Sequence, residues 1–360
     1  MAFVLNHLRD LADSSFDEII DVRSPGELQD DHVPGAINLP VLSDEERALV
    51  GTIYKQESAF RARKIGGALV AKRAGMNIEQ HLLDKPGSYR PLVYCWRGGM
   101  RSGAFATILK QIGWRAEVLE GGYKSYRRAV VELLYSPGGR AEALARRLIV
   151  VDGNTGTAKT ELLHKMAARG AQVIDLEGLA GHRGSLFGGM DARQSSQKTF
   201  DSAIARHLAG FDPARPVFVE AESSRIGRLA LPNVLWSLMR EAPKICVEAP
   251  LAERGAYLTR AYANITSDRE RLSSTLDLLK PYHAADRLKA WQALAAEGRM
   301  EDLACELAAH HYDPKYDRQR ARDPRREVGS VHLESFAPDA LDRAALEILS
   351  LADNDVTTLS

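Results

Sequence analysis

Through roughly the first 130 residues, short apolar runs rich in β-branched and aromatic residues alternate with stretches whose apolar positions recur at helical spacing. Ile19-Ile20-Asp21-Val22, Leu92-Val93-Tyr94-Cys95 and Ala116-Glu117-Val118-Leu119 predict strands, and Asp44–Val50 and Ser102–Ile112 predict helices. Strands separated by helices imply a parallel sheet, with functional loops at the carboxyl ends of its strands. Ser136-Pro137-Gly138-Gly139 is a cluster of turn formers. A linker over 136–147 therefore divides a first domain, 1–135, from a second, 148–360. There the pattern restarts. Leu148-Ile149-Val150-Val151 predicts a buried strand, followed by a turn and a helix from Ala158 to Arg169. Gln172–Leu176, Pro216–Glu220 and Lys244–Glu248 predict further strands. From Leu251 onward the pattern is helical and charged with no strong strand, and the last ten residues, which show no packing pattern, are expected to fray. The fold class is α/β, with two parallel-sheet domains and a helical C-terminal region.

Composition alters this picture little. A chain of 360 residues suits two domains. Its 48 basic and 48 acidic side chains give a net charge of zero, so no global field draws it to nucleic acid. Basic residues nevertheless gather in Lys124–Arg128, Arg140–Arg147 and Lys315–Arg326, and such patches could hold a polyanion. No apolar run approaches the ~20 residues of a membrane span, and no secretory pattern opens the chain, so the expected place of action is the cytoplasm. Cys95, Cys246 and Cys305 are far apart and odd in number, which argues against a disulfide framework or a metal cluster.

Chemistry concentrates in two loops. Cys95 opens Cys95-Trp96-Arg97-Gly98-Gly99-Met100-Arg101-Ser102 at the end of a predicted strand. A thiol is a useful nucleophile at neutral pH only where its thiolate is stabilised. Gly98 and Gly99 allow the backbone to curl, a helix N-terminus follows, and Arg97 and Arg101 add positive charge. This cradle suits a thiolate, a persulfide or an anion delivered to the sulfur. The spacing Cys-x5-Arg also fits a phosphatase loop, and a structural cysteine at a strand end is the plainer alternative.

The second loop, Gly153-Asn154-Thr155-Gly156-Thr157-Ala158-Lys159-Thr160, follows the Leu148–Val151 strand. It fits the phosphate-loop template Gly-x4-Gly-Lys-Ser/Thr at Gly153, Lys159 and Thr160, but Ala158 stands where the second glycine is expected. Gly153, Asn154, Thr155, Gly156, Lys159 and Thr160 are the predicted phosphate-binding residues, and Ala158 threatens the loop's shape more than its charge. Were Mg²⁺ to sit beside Thr160, Glu220 and Glu222 at the end of the Pro216–Glu220 strand could serve it. Supporting roles are open to Glu177, His182 and Arg183 in the glycine-rich segment Asp175–Ser185. Arg254 and Arg260, on a helix after the Lys244–Glu248 strand, could close over phosphates as a lid. His310 and His311 point in different directions on a helix and are not read as a metal site.

Ile20-Asp21-Val22-Arg23-Ser24-Pro25-Gly26-Glu27 and His32-Val33-Pro34-Gly35-Ala36-Ile37-Asn38-Leu39-Pro40 resemble the opening of a rhodanese homology domain. Taken with Gly51–Gln56, the Cys95 loop, Leu119–Lys124, the phosphate loop, Asp175–Ser185, Glu220-Ala221-Glu222-Ser223 and Tyr312-Asp313-Pro314, the order of motifs resembles the bacterial tRNA 2-selenouridine synthases. The resemblance implies a rhodanese-like domain fused to a P-loop NTPase-like α/β domain. It implies replacement of sulfur by selenium at the wobble uridine (position 34), in tRNAs of the Lys, Glu and Gln type. The family is understood to S-geranylate 2-thiouridine with geranyl diphosphate, then to introduce selenium from selenophosphate. Cys95 would handle selenium, and the phosphate loop would hold the diphosphate. A selenophosphate-producing enzyme is an implied partner; a membrane is not. The competing reading is a P-loop kinase or ATPase fused to a rhodanese-like sulfurtransferase or phosphatase domain.

Overall fold

Five strands, β1 (Ala2–Phe3), β2 (Glu18–Asp21), β3 (Ile37–Asn38), β4 (Pro91–Tyr94) and β5 (Glu117–Leu119), form a sheet in the order β1-β5-β4-β2-β3. Every pairing in it is parallel. Central β4 is buried along its whole length, which is why it reads as one apolar run rather than an alternation. The computed structural model describes residues 2–12, 14–136, 147–183, 194–263 and 268–358. By contacts the chain divides into Met1–Gly139 with Ser196–Gly210, and Arg140–Ser195 with Phe211–Ser360. The predicted linker and the basic run Arg140–Arg147 lie almost wholly outside the described residues, as do Gly184 and Ser185.

The first predicted helix extends to Asp44–Gln56, and a second, Ala59–His81, is absent from the sequence reading. Its buried stripe is Ala62, Gly66, Val70, Ala74 and Asn77, residues too small and too mixed to raise an amphipathic signal. Helix Gln197–Gly210 also belongs to this unit, although its sequence lies far down the chain. Its Asp201 accepts from Arg127 Nη2 (2.5 Å) and Tyr135 Oη (3.2 Å), and its Ser202 donates to Asp31 (2.9 Å).

The second unit has strands β6 (Leu148–Gly153), β7 (Gln172–Ile174), β8 (Val217–Glu220), a small hairpin β9 (Arg225–Ile226)–β10 (Leu229–Ala230), β11 (Lys244–Glu248) and β12 (Glu327–His332). The main sheet is parallel, in the order β12-β11-β6-β8-β7. Two expectations are corrected here. The region after Leu251 does contain a strand: β12 pairs along β11, but at the sheet edge only Val331 is buried, so it leaves little hydrophobic pattern. The final segment is not loose from residue 351, because helix Pro338–Thr358 buries Leu341, Ala344, Ala345, Ile348 and Ala352, with Leu351 against the same core. That spacing is a helical face, and Ala residues on it mute the signal. Helices Arg269–Asp277, Ala285–Glu297 and Met300–Leu307 pack around Trp291, and a π-helix, Ala308–Tyr312, leads into helix Asp313–Arg320. Among the described residues no helix is long and apolar enough to cross a membrane.

Candidate active sites

Cys95 is the first residue beyond β4 and is 4% exposed. Ser102 Oγ donates to its Sγ (3.3 Å), and helix Met100–Ile112 starts from Gly99, whose φ is +72°. The backbone N–H groups of Arg97, Gly98 and Gly99 take no acceptor among the described residues, so the loop offers donors at a helix N-terminus. The loop is closed from behind by Gly122-Tyr123-Lys124. Tyr123 N–H donates to the Cys95 carbonyl (2.8 Å), and Lys124 N–H donates to that of Trp96 (3.1 Å). Gly122, at φ +59°, is required there, since a Cβ would stand 2.3 Å from the Cys95 oxygen. Trp96 stacks on Tyr123 with ring centroids 5.3 Å apart.

The two arginines of this loop differ. Arg97 is exposed. Arg101 is tied to Glu27 by two bonds (2.7 and 3.2 Å), yet lies near enough that a charge on Cys95 bears on it. Burial opposes the charged form of both partners, but the Arg101–Glu27 bonds outweigh it and hold Glu27 below the usual carboxylate range. A phosphatase loop needs its arginine turned to the substrate, and this arginine is held by a carboxylate.

In the second unit, β6 runs into the phosphate loop and helix Lys159–Ala168. Ala158 adopts φ +55°, ψ +30°, so it takes the left-handed conformation of the glycine it replaces. It is the single described non-glycine residue with positive φ. The loop's shape survives at the cost of local strain. The Lys159 ammonium lies over the loop and donates to the carbonyls of Gly153 (2.7 Å) and Asn154 (3.4 Å). Thr160 Oγ1 donates to Glu177 Oε2 (3.2 Å).

Thr155, Gly156, Ala158, Lys159 and Thr160 line a cavity of about 620 Å³, with Glu177, Arg183, Glu220 and Glu222 also in its wall, whereas Gly153 and Asn154 are not part of it. Glu220 Oε1 accepts from the Glu177 N–H (2.7 Å), while its Oε2 is buried without a partner. Burial first, then the charge of Asp175, holds Glu220 well above the carboxylate range. Burial, then Glu177, pushes Glu222 up to about 8 against the opposing charge of Lys159. Arg183 stacks over Tyr262 at 4.7 Å, with Nη1 buried and unpaired. His182 is not in the cavity wall; it packs at the Gly227 turn, and burial lowers its basicity. No three His, Cys, Asp or Glu residues converge on a metal-sized point among the described residues.

The lid expected of Arg254 is corrected. Arg254 is 4% exposed, makes a two-pronged pair with Asp313 (2.9 and 2.7 Å) and reaches the Thr155 carbonyl (3.4 Å), so it braces the loop from beneath. Arg260 faces outward on the same helix and is not in the cavity wall. Beside the cavity runs a narrow, almost wholly apolar crevice lined by Leu272, Met300, Leu303 and Leu307, and the two share Thr155, Leu258, Tyr262 and Tyr312. Ser102, Glu27, Gly122 and Asp313 act on the two loops although the sequence reading gave them no role. Each lies inside a recognised motif, but only folding shows which atom it serves.

Residues 146–336 match the family model of the tRNA 2-selenouridine synthase AAA domain, and residues 5–129 match the rhodanese-like domain. A tRNA 2-selenouridine synthase of Nitrosomonas europaea is 39% identical over 240 residues, 66% of this chain and 61% of that protein. One of Bdellovibrio bacteriovorus is 36% identical over 245 residues, covering 66% and 62%. One of Marinobacter nauticus is 31% identical over 337 residues, covering 84% and 88%. The matches thus span about three fifths of the first two relatives and most of the third.

Proposed function

Because the chain belongs to the tRNA 2-selenouridine synthase family, we propose that it converts the 2-thiouridine of tRNA wobble positions to 2-selenouridine, in two steps at two sites. In the first step the thiouridine sulfur attacks C1 of geranyl diphosphate, the C–O bond breaks, and diphosphate leaves. The sulfur is then an alkylated leaving group. In the second step the selenium of selenophosphate, held at the Cys95 loop, attacks C2 of the base, the C2–S bond breaks and geranyl thiol departs with the proton. Water takes the phosphoryl group as the P–Se bond breaks, releasing phosphate.

The observation that carries this reading is the junction of a phosphate loop with an apolar crevice. A nucleotide donor has no use for a groove of Leu, Met and Tyr next to its phosphates, whereas an allylic diphosphate has a polar head and a ten-carbon tail. Lys159 and the N–H groups at the start of helix Lys159–Ala168 would hold the diphosphate as charge develops on it. At about 60 Å³ the crevice must widen for the tail, and the unbranched Met300 and the Leu258 side chain are suited to give way. Mg²⁺ arriving with the diphosphate would be met by Thr160 and Glu177 and would neutralise phosphate charge. The orphaned Glu220 Oε2 behind them fits such a cation. At the other site, Ser102 and the free N–H groups of the loop would hold the Cys95 thiolate and an anionic selenium donor beside it.

The test is mass spectrometry of wobble nucleosides after incubation of thiolated tRNA with each donor. Lys159→Ala should abolish S-geranylation. Cys95→Ser should stop at the geranylated nucleoside. Normal selenation by Cys95→Ser, or ATP turnover in the absence of RNA, would overturn the proposal.

A further inference from the structure

Next to the phosphate cavity lies a second cavity of about 570 Å³, between helix Asn233–Glu241 and helix Asp313–Arg320. The two share Glu222, Lys315, Gln319, Asp323 and Arg325, so one opens onto the other. Five cations line this groove: Arg240, Lys315, Arg318, Arg322 and Arg325. Two acids oppose them, and neither offers much free negative charge. Asp323 is taken by Arg325 (2.9 and 2.7 Å) and Lys244 (3.1 Å), and Glu222 is kept largely protonated by burial. Arg240, Arg318 and Arg322 are exposed, and no carboxylate among the described residues pairs with any of them. Arg318 Nε donates to the Pro314 carbonyl (2.8 Å), which fixes the stem of its side chain. Half-buried Trp236 lines the same groove.

Lys315, at the junction, is aimed by a histidine pair, buried His311 and half-buried His283. Its ammonium is a donor only, so the 3.1 Å contact makes His311 Nε2 the acceptor. His311 Nδ1 then carries the hydrogen and donates to His283 Nε2 at 2.8 Å. Burial, then Lys315 and His283, pushes His311 down to about 4, so it stays neutral and keeps accepting. The π-helix Ala308–Tyr312 is what turns His311 inward to this position.

Resting on the function proposed above, we propose that this groove is the path by which single-stranded RNA enters the phosphate cavity. Backbone phosphates pair with Arg240, Arg318 and Arg322, a base stacks on Trp236, and Lys315 receives the strand where the two cavities meet. Cations without acid partners beside an aromatic face are the combination that binds unpaired nucleotides. An acidic protein segment would use the charges but not the indole.

The experiment measures binding of a fluorescent tRNA anticodon stem-loop to the full-length chain across a salt series, beside binding of inorganic pyrophosphate. Removing three phosphate contacts at ~0.7 each should lower the salt slope by about 2, or about 100-fold in affinity at 0.1 M salt. The variant is R240E/R318E/R322E, and its pyrophosphate affinity should match wild type, which shows that the second unit is folded. Trp236→Ala should cost about tenfold in RNA affinity, with Trp236→Phe restoring most of it. Wild-type RNA affinity and slope in the triple variant would overturn the groove while leaving the two-step reading intact. So would polyglutamate binding as tightly as RNA with no effect of Trp236→Ala. Failure of the wild-type chain to bind the stem-loop at all would overturn both.

Discussion

Ala158 sits where a methyl group is tolerated only against backbone strain. A left-handed alanine costs roughly 1–2 kcal/mol. Its buried Cβ contributes about 0.8 kcal/mol in the core below the loop, and glycine would add about 0.5–1 kcal/mol of chain entropy to the unfolded state. These nearly cancel, so Ala158→Gly should shift unfolding stability by less than about 1 kcal/mol and leave pyrophosphate affinity unchanged. Ala158→Val, whose branched side chain cannot take this φ, should lose pyrophosphate binding; calorimetric titration distinguishes the three proteins. At Cys95 the corresponding residue is Ser102. Removing its hydroxyl with Ser102→Ala forfeits ~1 kcal/mol of hydrogen bonding to sulfur, so iodoacetamide should alkylate Cys95 about fivefold more slowly at pH 7. Glu222 gives a pH signature. Its folded value of about 8 lies above its unfolded 4.5, so the fold holds the proton more tightly. The stability it contributes is complete below 4.5 and is lost as pH rises through about 8, by at most ~1.4 kcal/mol per unit. Denaturant unfolding from pH 5 to 8.5 should therefore show a flatter pH dependence in Glu222→Gln than in wild type.

At the level of elements, the phosphate loop is held by a helix that is distant in sequence. Arg254, from helix Leu251–Ala261, joins the Thr155 carbonyl to Asp313 at the start of helix Asp313–Arg320. Arg254→Met should leave Asp313 poorly compensated and cost about 3 kcal/mol in unfolding stability, while Arg254→Met with Asp313→Leu should recover part of it. That brace explains what could and could not be read from the chain. The phosphate loop and the cysteine loop are local motifs, and both stand where strand and helix patterns put them. The brace is a contact 59 residues apart, and Arg254 looks like any helix arginine until burial is known. Likewise β12 is an edge strand and Ala59–His81 buries a stripe of small residues, so each lacks the apolar contrast that periodicity depends on. Helix Gln197–Gly210 has no counterpart in the sequence pattern as read, and its partners Asp31 and Arg127 reveal which unit it joins.

For the whole molecule, each unit carries one of the two candidate loops at the carboxyl end of a central parallel strand, β4 with Cys95 and β6 with Lys159. This is the position that parallel sheets reserve for ligands. The contacts described at each loop come from its own unit: Ser102, Glu27 and Gly122 at the first, Arg254, Glu177 and Asp313 at the second. If the two proposed steps use these loops in turn, the geranylated RNA is a discrete intermediate, and the loops need not lie in one polypeptide. Cys95→Ser alone should accumulate geranylated RNA, and Lys159→Ala alone should leave thiolated RNA unchanged. An equimolar mixture of the two should restore selenated nucleoside, at a rate that rises with protein concentration because RNA must pass between molecules. Mass spectrometry of the wobble nucleoside over a dilution series checks this. A mixture that yields geranylated RNA and no selenated product at any concentration would mean that the base never leaves the chain that alkylated it.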